Sequence, residues 1–186
     1  MTFKSFYIQS KKNKLNEVFT TSSSELKITN TWQKYQGGRL QVADFGAPNG
    51  DDYKLIFHNI KGTVPNTLRA IAKKVIKPLA KYKEVIEGNN TWEVAFKNMS
   101  AVQRGESGYG VTQSGDSVKI FGMVFNAIID KVNSDSNIKT IMFSAEEDSR
   151  KALYSRGLPL LAKKLNSQYL TTENIPDKKQ YYFIFT

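Results

Sequence analysis

The strongest pattern in the chain is helical and lies in its second half. Val118, Phe121, Val124, Phe125, Ile128 and Val132 recur at the i, i+3, i+4, i+7 spacing of one helical face, with Lys119, Asn126, Asp130 and Lys131 opposite. This predicts an amphipathic helix starting near Asp116, one residue after Gly115. Residues 133–137 are all Ser, Asp and Asn, the composition of a break. Residues 138–143 then form a β-branched, apolar run that stops at Ser144. With a short strand at Tyr109 before the helix, the order is strand, crossover helix, strand. That order makes the two strands parallel members of one sheet.

Period-two alternation marks further strands. Residues 39–44 set Leu40 and Val42 against Gln41 and Ala43, and turn residues 46–52 carry Asn49-Gly50. Residues 53–58 return, which predicts an antiparallel hairpin. Residues 91–99 point Val94 and Phe96 one way and Glu93 and Ala95 the other, and a polar loop follows over residues 100–108. Residues 181–186 read as an aromatic, β-branched strand. Residues 64–87 read as a helix opened by Pro65, with Leu68, Ala72, Val75, Leu79, Tyr82 and Ile86 facing the sheet and Pro78 kinking or dividing it. Residues 147–156 form another helix that Gly157 ends, and Pro159 starts a short one reaching residue 165. The expectation is an α+β (α/β-like) fold, a single mixed twisted sheet flanked by helices. One domain covers residues 1–186, with residues 1–30 as an N-terminal arm or extension.

Composition narrows the function classes. No apolar run approaches the roughly 18 to 20 residues that span a bilayer, so no membrane partner is expected. The first residues lack the apolar stretch of a secretory signal. With no cysteine there is no disulfide framework, thiol nucleophile or zinc–thiolate site. The formal charge of +10 suits a polyanion, an acidic protein surface or a phosphorylated ligand, or simply a solubilising excess. It is densest in the helix over residues 64–87, where Arg69, Lys73, Lys74, Lys77, Lys81 and Lys83 occur with no acid between them. Lys73, Lys77 and Lys81 are four apart and stack in one self-repelling stripe, which a neutralising partner would relieve and a solvated face would leave to water.

Other candidate chemistry is sparse. His58 is the only histidine, which excludes histidine-cluster metal sites and leaves a triad only if Ser and Asp converge on it. Asp51-Asp52 and Glu146-Glu147-Asp148 are acidic clusters with turn and helix-start explanations, so no metal is expected. The glycines of residues 105–110 suggest a phosphate cradle, but no helix follows them directly.

The segment SGDSVKIFGMVFNAIIDKV, followed by IKTIMFSAEEDSRKALYSR, resembles the GNAT acyltransferase-fold proteins encoded by tailed bacteriophages. The likeness covers roughly residues 90–186, and Phe143 to Tyr154 is its most specific part. It implies a loop at Gln113, Ser114, Gly115, Asp116 and Ser117 whose backbone N–H groups would hold acetyl-CoA. It also implies Tyr154 as the acid that protonates the CoA thiolate and Glu93 as the base. The strands that begin near Tyr109 and Ile138 would splay to admit the pantetheine arm. The family loop is Q/R-x-x-G-x-G/A, whereas here only Gly115 follows Gln113, one position early. Asp116 then sits at the helix N-cap, where its carboxylate takes the donors a diphosphate would need.

The leading reading is therefore a phage-type GNAT-like protein that has lost efficient acyl transfer and uses no cofactor. It would act in the virion or host cytoplasm, binding nucleic acid or phage structural proteins through Arg69, Lys73, Lys74, Lys77, Lys81 and Lys83. A working acetyl-CoA-dependent N-acetyltransferase is the alternative. A homo-oligomer pairing through the edge of the final strand is the third reading.

Overall fold

A computed structural model of the chain describes residues 32–47, 50–61, 90–109, 117–172 and 179–186. The expected N-terminal arm, the helix over residues 64–87 with its basic stripe, and loop residues Gln113, Ser114, Gly115 and Asp116 lie outside the described residues.

In chain order the elements are β1 (Gln33–Tyr35), β2 (Leu40–Gly46), β3 (Asp52–Asn59), β4 (Thr91–Asn98), α1 (Met99–Gln103), α2 (Ser117–Ser134), β5 (Thr140–Ala145), α3 (Asp148–Lys164), β6 (Gln168–Thr172) and β7 (Gln180–Phe185). A short 3-10 turn, Gln36–Gly38, joins β1 to β2. Among the described residues, seven strands make one mixed sheet in the order β1-β2-β3-β4-β5-β7-β6, accompanied by three helices. This is the α+β architecture that the alternation and helical spacing imply. No helix among the described residues is long and apolar enough to cross a membrane.

The hairpin of β2 and β3 closes as the turn chemistry requires. The Ala47 N–H donates to the Asp51 carbonyl at 2.8 Å, and the Gly50 N–H donates to the Ala47 carbonyl at 2.9 Å. Gly50 has φ +83°, a conformation cheap only for glycine. β4 and β5 pair in parallel through Thr91↔Thr140, Trp92↔Ile141 and Glu93↔Met142. β5 and β7 pair antiparallel over six residues, and β6 pairs antiparallel with β7.

Several boundaries differ from expectation. The strand that pairs in parallel with β5 is β4, not one at Tyr109, which sits in a turn. The loop expected over residues 100–108 opens with α1, because the Asn98 side chain accepts the Ala101 N–H at 2.8 Å and caps it. The two helices expected over residues 147–165 are one, α3, which runs through Gly157 and Pro159. Burial of Tyr154, Gly157, Leu158, Leu161 and Ala162 along one face outweighs the local breakers. β7 is interior, hydrogen-bonded to β5 on one side and β6 on the other. It therefore offers no edge for self-pairing, and among the described residues the edges of the sheet are β1 and β6. β6 and β1 carry no strong alternation and so give no strand signal in the sequence.

α2 is buried around most of its circumference. Ile120, Met123 and Ala127 are buried along with the predicted face of Phe121, Val124, Phe125, Ile128 and Val132. Lys131, expected on the polar side, is only 6% exposed. It lies in the last turn, where the helix carbonyls favour a cation.

The described residues divide into two compact units. In the first, Phe121 packs edge-on against Phe96 and Phe125, and Phe45 stacks on Tyr53. Asn98, 2% exposed, ties this unit together, its Nδ2 donating to Asp51 Oδ2 at 2.8 Å and to the Tyr53 hydroxyl at 3.1 Å. In the second, α3 lies on β5, β7 and β6, with Leu158 and Leu161 fully buried.

The C-terminus of α3 is a Schellman motif. The Ser167 N–H donates to the Ala162 carbonyl at 2.8 Å, the Asn166 N–H to the Lys163 carbonyl at 3.2 Å, and Asn166 has φ +54°. Asn tolerates this left-handed conformation and a β-branched residue does not. Replacing Asn166→Gly should leave stability unchanged or raised, and Asn166→Val should lower it by about 1–2 kcal/mol in urea unfolding.

Candidate functional site

The parallel ladder between β4 and β5 stops early. Its last pair is Glu93↔Met142, although β5 continues through Phe143, Ser144 and Ala145 and β4 through Val94 and Ala95. The expected splay lay between strands at Tyr109 and Ile138; the parallel partner of β5 is instead β4, and their ladder ends at Glu93. Alternation puts Glu93, Met142 and Ser144 on one face of the sheet. Accordingly the Ser144 hydroxyl donates to Glu93 Oε1 at 3.4 Å, and both side chains are half-buried. In the sequence Ser144 marks only the end of an apolar run. Period two counted from Met142 would have paired it with Glu93.

Tyr154 lies on the other face. Its ring packs edge-on against Phe143 and Tyr182, with centroids 5.5 Å away in each case. Tyr182 in turn stacks on Tyr169 and donates its hydroxyl to the Lys151 carbonyl at 3.2 Å. Tyr154 is 2% exposed, and burial pushes its phenol up to about 12. Tyr182, Glu147 and Glu93 act in the same direction, and Arg150 opposes them. Glu93 is thus within electrostatic reach of Tyr154 while belonging to the opposite face. At the root of the ladder, the buried Trp92 Nε1 and Thr140 Oγ1 have no hydrogen-bond partner.

The remaining candidates are dispersed. Ser117 opens α2, and the rest of the proposed coenzyme loop is outside the described residues. His58 is a half-buried residue near the end of β3. Each acidic cluster is committed to cations. Asp51 takes Arg104 at 3.4 Å, Glu146 takes Lys179 at 2.9 Å, Glu147 takes Arg150 at 3.7 Å and Asp148 takes Lys151 at 3.3 Å. Lys179 holds the Glu146 carboxyl below its usual range. Among the described residues no three or more His, Asp or Glu side chains gather closely enough to hold a metal ion.

The glycines of residues 105–110 have a packing explanation. Gly105 has φ +79°, and a Cβ on buried Gly108 would lie 2.5 Å from Val102 Cγ2 and 2.9 Å from the Asn98 carbonyl oxygen. That oxygen belongs to the strand end whose N–H donates to the Gly108 carbonyl at 2.8 Å, so the two backbones are in direct contact.

Sealing of Tyr154 predicts a pH dependence. The phenol ionises near 10 when unfolded and near 12 when folded, so it contributes stability in full below pH 10 and loses it as pH rises through 12. The loss reaches about 2–3 kcal/mol. Urea unfolding of wild type and Tyr154→Phe should diverge between pH 10 and 12, with wild type losing more. Equal losses would show an accessible phenol. Tyr154→Ala should cost about 3–5 kcal/mol at neutral pH. No family model, curated protein or solved structure matches this chain.

Proposed function

We propose that this chain is a GNAT-like protein of the tailed-phage type whose acyl-transfer chemistry has lapsed. It serves as a virion-associated or accessory protein that binds nucleic acid through the basic stretch at Arg69, Lys73, Lys74, Lys77, Lys81 and Lys83. The observation that carries the non-catalytic part is the burial of Tyr154. An acid that protonates a departing thiolate must touch it. Tyr154 instead touches Phe143 and Tyr182 and is held far above neutral pH. Its placement across the sheet from Glu93 adds to this, as does Asp116 at the expected N-cap. The family assignment draws support from the strand order and from the parallel pair that parts after three rungs.

The acetyltransferase reading keeps one specific observation in its favour. Glu93 stands at the point where β4 and β5 part, its carboxylate placed by Ser144, as a base beside an inserted thioester would require. Calorimetry separates the two readings. On the non-catalytic reading, acetyl-CoA gives no binding heat even at millimolar concentration. Micromolar binding that is abolished by Gly115→Trp would establish the enzyme instead. For the partner, duplex DNA should bind in a salt-dependent way, with log K falling by about 0.9 per phosphate contact for each decade of salt. Reversing Lys73, Lys77 and Lys81 to Glu should flatten that slope. Binding that ignores these reversals would reject the basic stretch as the contact.

A further inference from the structure

The register of β3 with β4 sets one more polar side chain beside Glu93. At the end of β3 and the start of β4, the Ile60 N–H donates to the Thr91 carbonyl at 3.1 Å. Near the other end of the pair, Asn98 Nδ2 donates to the Tyr53 hydroxyl at 3.1 Å. Both contacts fit a single antiparallel register. Two residues back from Ile60 and two forward from Thr91 are His58 and Glu93, so these two are directly opposed on one face of the sheet. Ser144 joins them from β5 through its bond to Glu93 Oε1. The three side chains form a half-buried row across β3, β4 and β5. Ile56 and Ala95, the next opposed pair on that face, are apolar.

Two features set this row apart. Glu93 is half-buried, yet among the described residues no Lys or Arg meets it, whereas Asp44, Asp51, Glu106, Glu146, Glu147 and Asp148 each meet one. Removing a carboxylate from water without a counter-charge is costly, and a single hydroxyl offsets only part of that cost. His58 is the only histidine in the chain, and among the described residues its ring makes no hydrogen bond or ion pair. A protonated His58 bonded to Glu93 would have satisfied both residues, and that bond is not made.

We propose that His58 and Glu93 are the two protein ligands of a divalent transition-metal ion of the zinc type, with Ser144 orienting the carboxylate. Directly opposed side chains stand about 4.5–5.5 Å apart at Cβ, a gap that two ligand bonds of about 2.0–2.2 Å to one ion can span. The ion supplies the positive charge that Glu93 lacks and takes a ring nitrogen of His58. Calcium and magnesium fit less well, because they take oxygen ligands, whereas imidazole suits zinc, nickel and copper. Water completes the coordination. The ion acts as a staple between β3 and β4, beside the short ladder that joins β4 to β5.

The test uses the full chain, stripped of metal by a chelator, with the His58 ring signals followed by NMR as zinc is added. With one histidine and no cysteine, those signals report one site free of thiolate competition. Zinc should shift the ring signals to saturation and raise the thermal midpoint, because it binds the folded state. Magnesium should do neither. Glu93→Gln should weaken zinc binding about tenfold or more, and Ser144→Ala should weaken it less. His58→Gln should abolish the rise in midpoint while circular dichroism shows the variant folded. Ring signals that zinc leaves unmoved would overturn the proposal. So would equal zinc affinity in wild type and Glu93→Gln, the mark of a lone imidazole, or an equal response to magnesium. None of these outcomes involves acetyl-CoA or the basic stretch at residues 69–83, so the function proposed above stands or falls separately.

Discussion

The sheet depends on one short joint. β1 to β4 form one set of strands and β5, β7 and β6 another, and the two are joined by three parallel rungs, from Thr91↔Thr140 to Glu93↔Met142. Parallel pairs are slightly weaker per residue than antiparallel ones, so three rungs need help. Some comes from the start of the two strands, where the N–H groups of Lys139 and Thr140 donate to the Asn90 carbonyl at 3.0 and 3.1 Å. The larger share comes from burial, since Trp92, Val94, Ile141 and Phe143 are all buried on one face. The joint can be short because it is covered.

The covering element also decides the fate of the candidate acid. α3 is pinned to the sheet by aromatic contact, with Tyr154 between Phe143 and Tyr182 and the Tyr182 hydroxyl on the helix backbone. Burying an aromatic ring of this size contributes several kcal/mol. A catalytic phenol must leave part of that contact unmade to meet its substrate. Here the contact is complete, and the same packing that secures the helix removes the hydroxyl from solvent. Glu93 experiences the reverse: at the end of the ladder its carboxylate keeps partial exposure and a single hydroxyl partner.

Much of this was legible in the chain. The helical period from Phe121 to Val132 located α2, and alternation located β2, β3, β4 and β7 within one or two residues. The errors share a cause, which is that local signals were read without their tertiary cover. Gly157 and Pro159 look like a helix end, yet Leu158 and Leu161 bury so completely that the helix continues. Gln41 and Ala43 look like an outward face, yet both are buried because β2 lies inside the sheet. Lys131 looks solvent-facing, yet α2 is covered nearly all round. α1 gives no signal of its own, because it is one short turn capped by Asn98, which is also the last residue of β4. At the site, Glu93 and Tyr154 were identifiable from the resemblance. Their separation onto opposite faces was not, because it depends on the register of β4 with β5 and on where α3 lands.

The distribution of ion pairs gives the charge its meaning. A net charge of +10 spread among paired side chains would be a solubility device and nothing more. In the described residues the carboxylates Asp44, Asp51, Glu106, Glu146, Glu147 and Asp148 are each engaged by a cation. Cation-rich stretches without an acid include residues 1–16, 69–83 and 149–172, and the last is helical for most of its length. Like charges repeated along a helix repel one another, a cost that hydration tolerates and a polyanion removes. The packing seals Tyr154 in the core, and the sequence groups much of its positive charge where acids are absent.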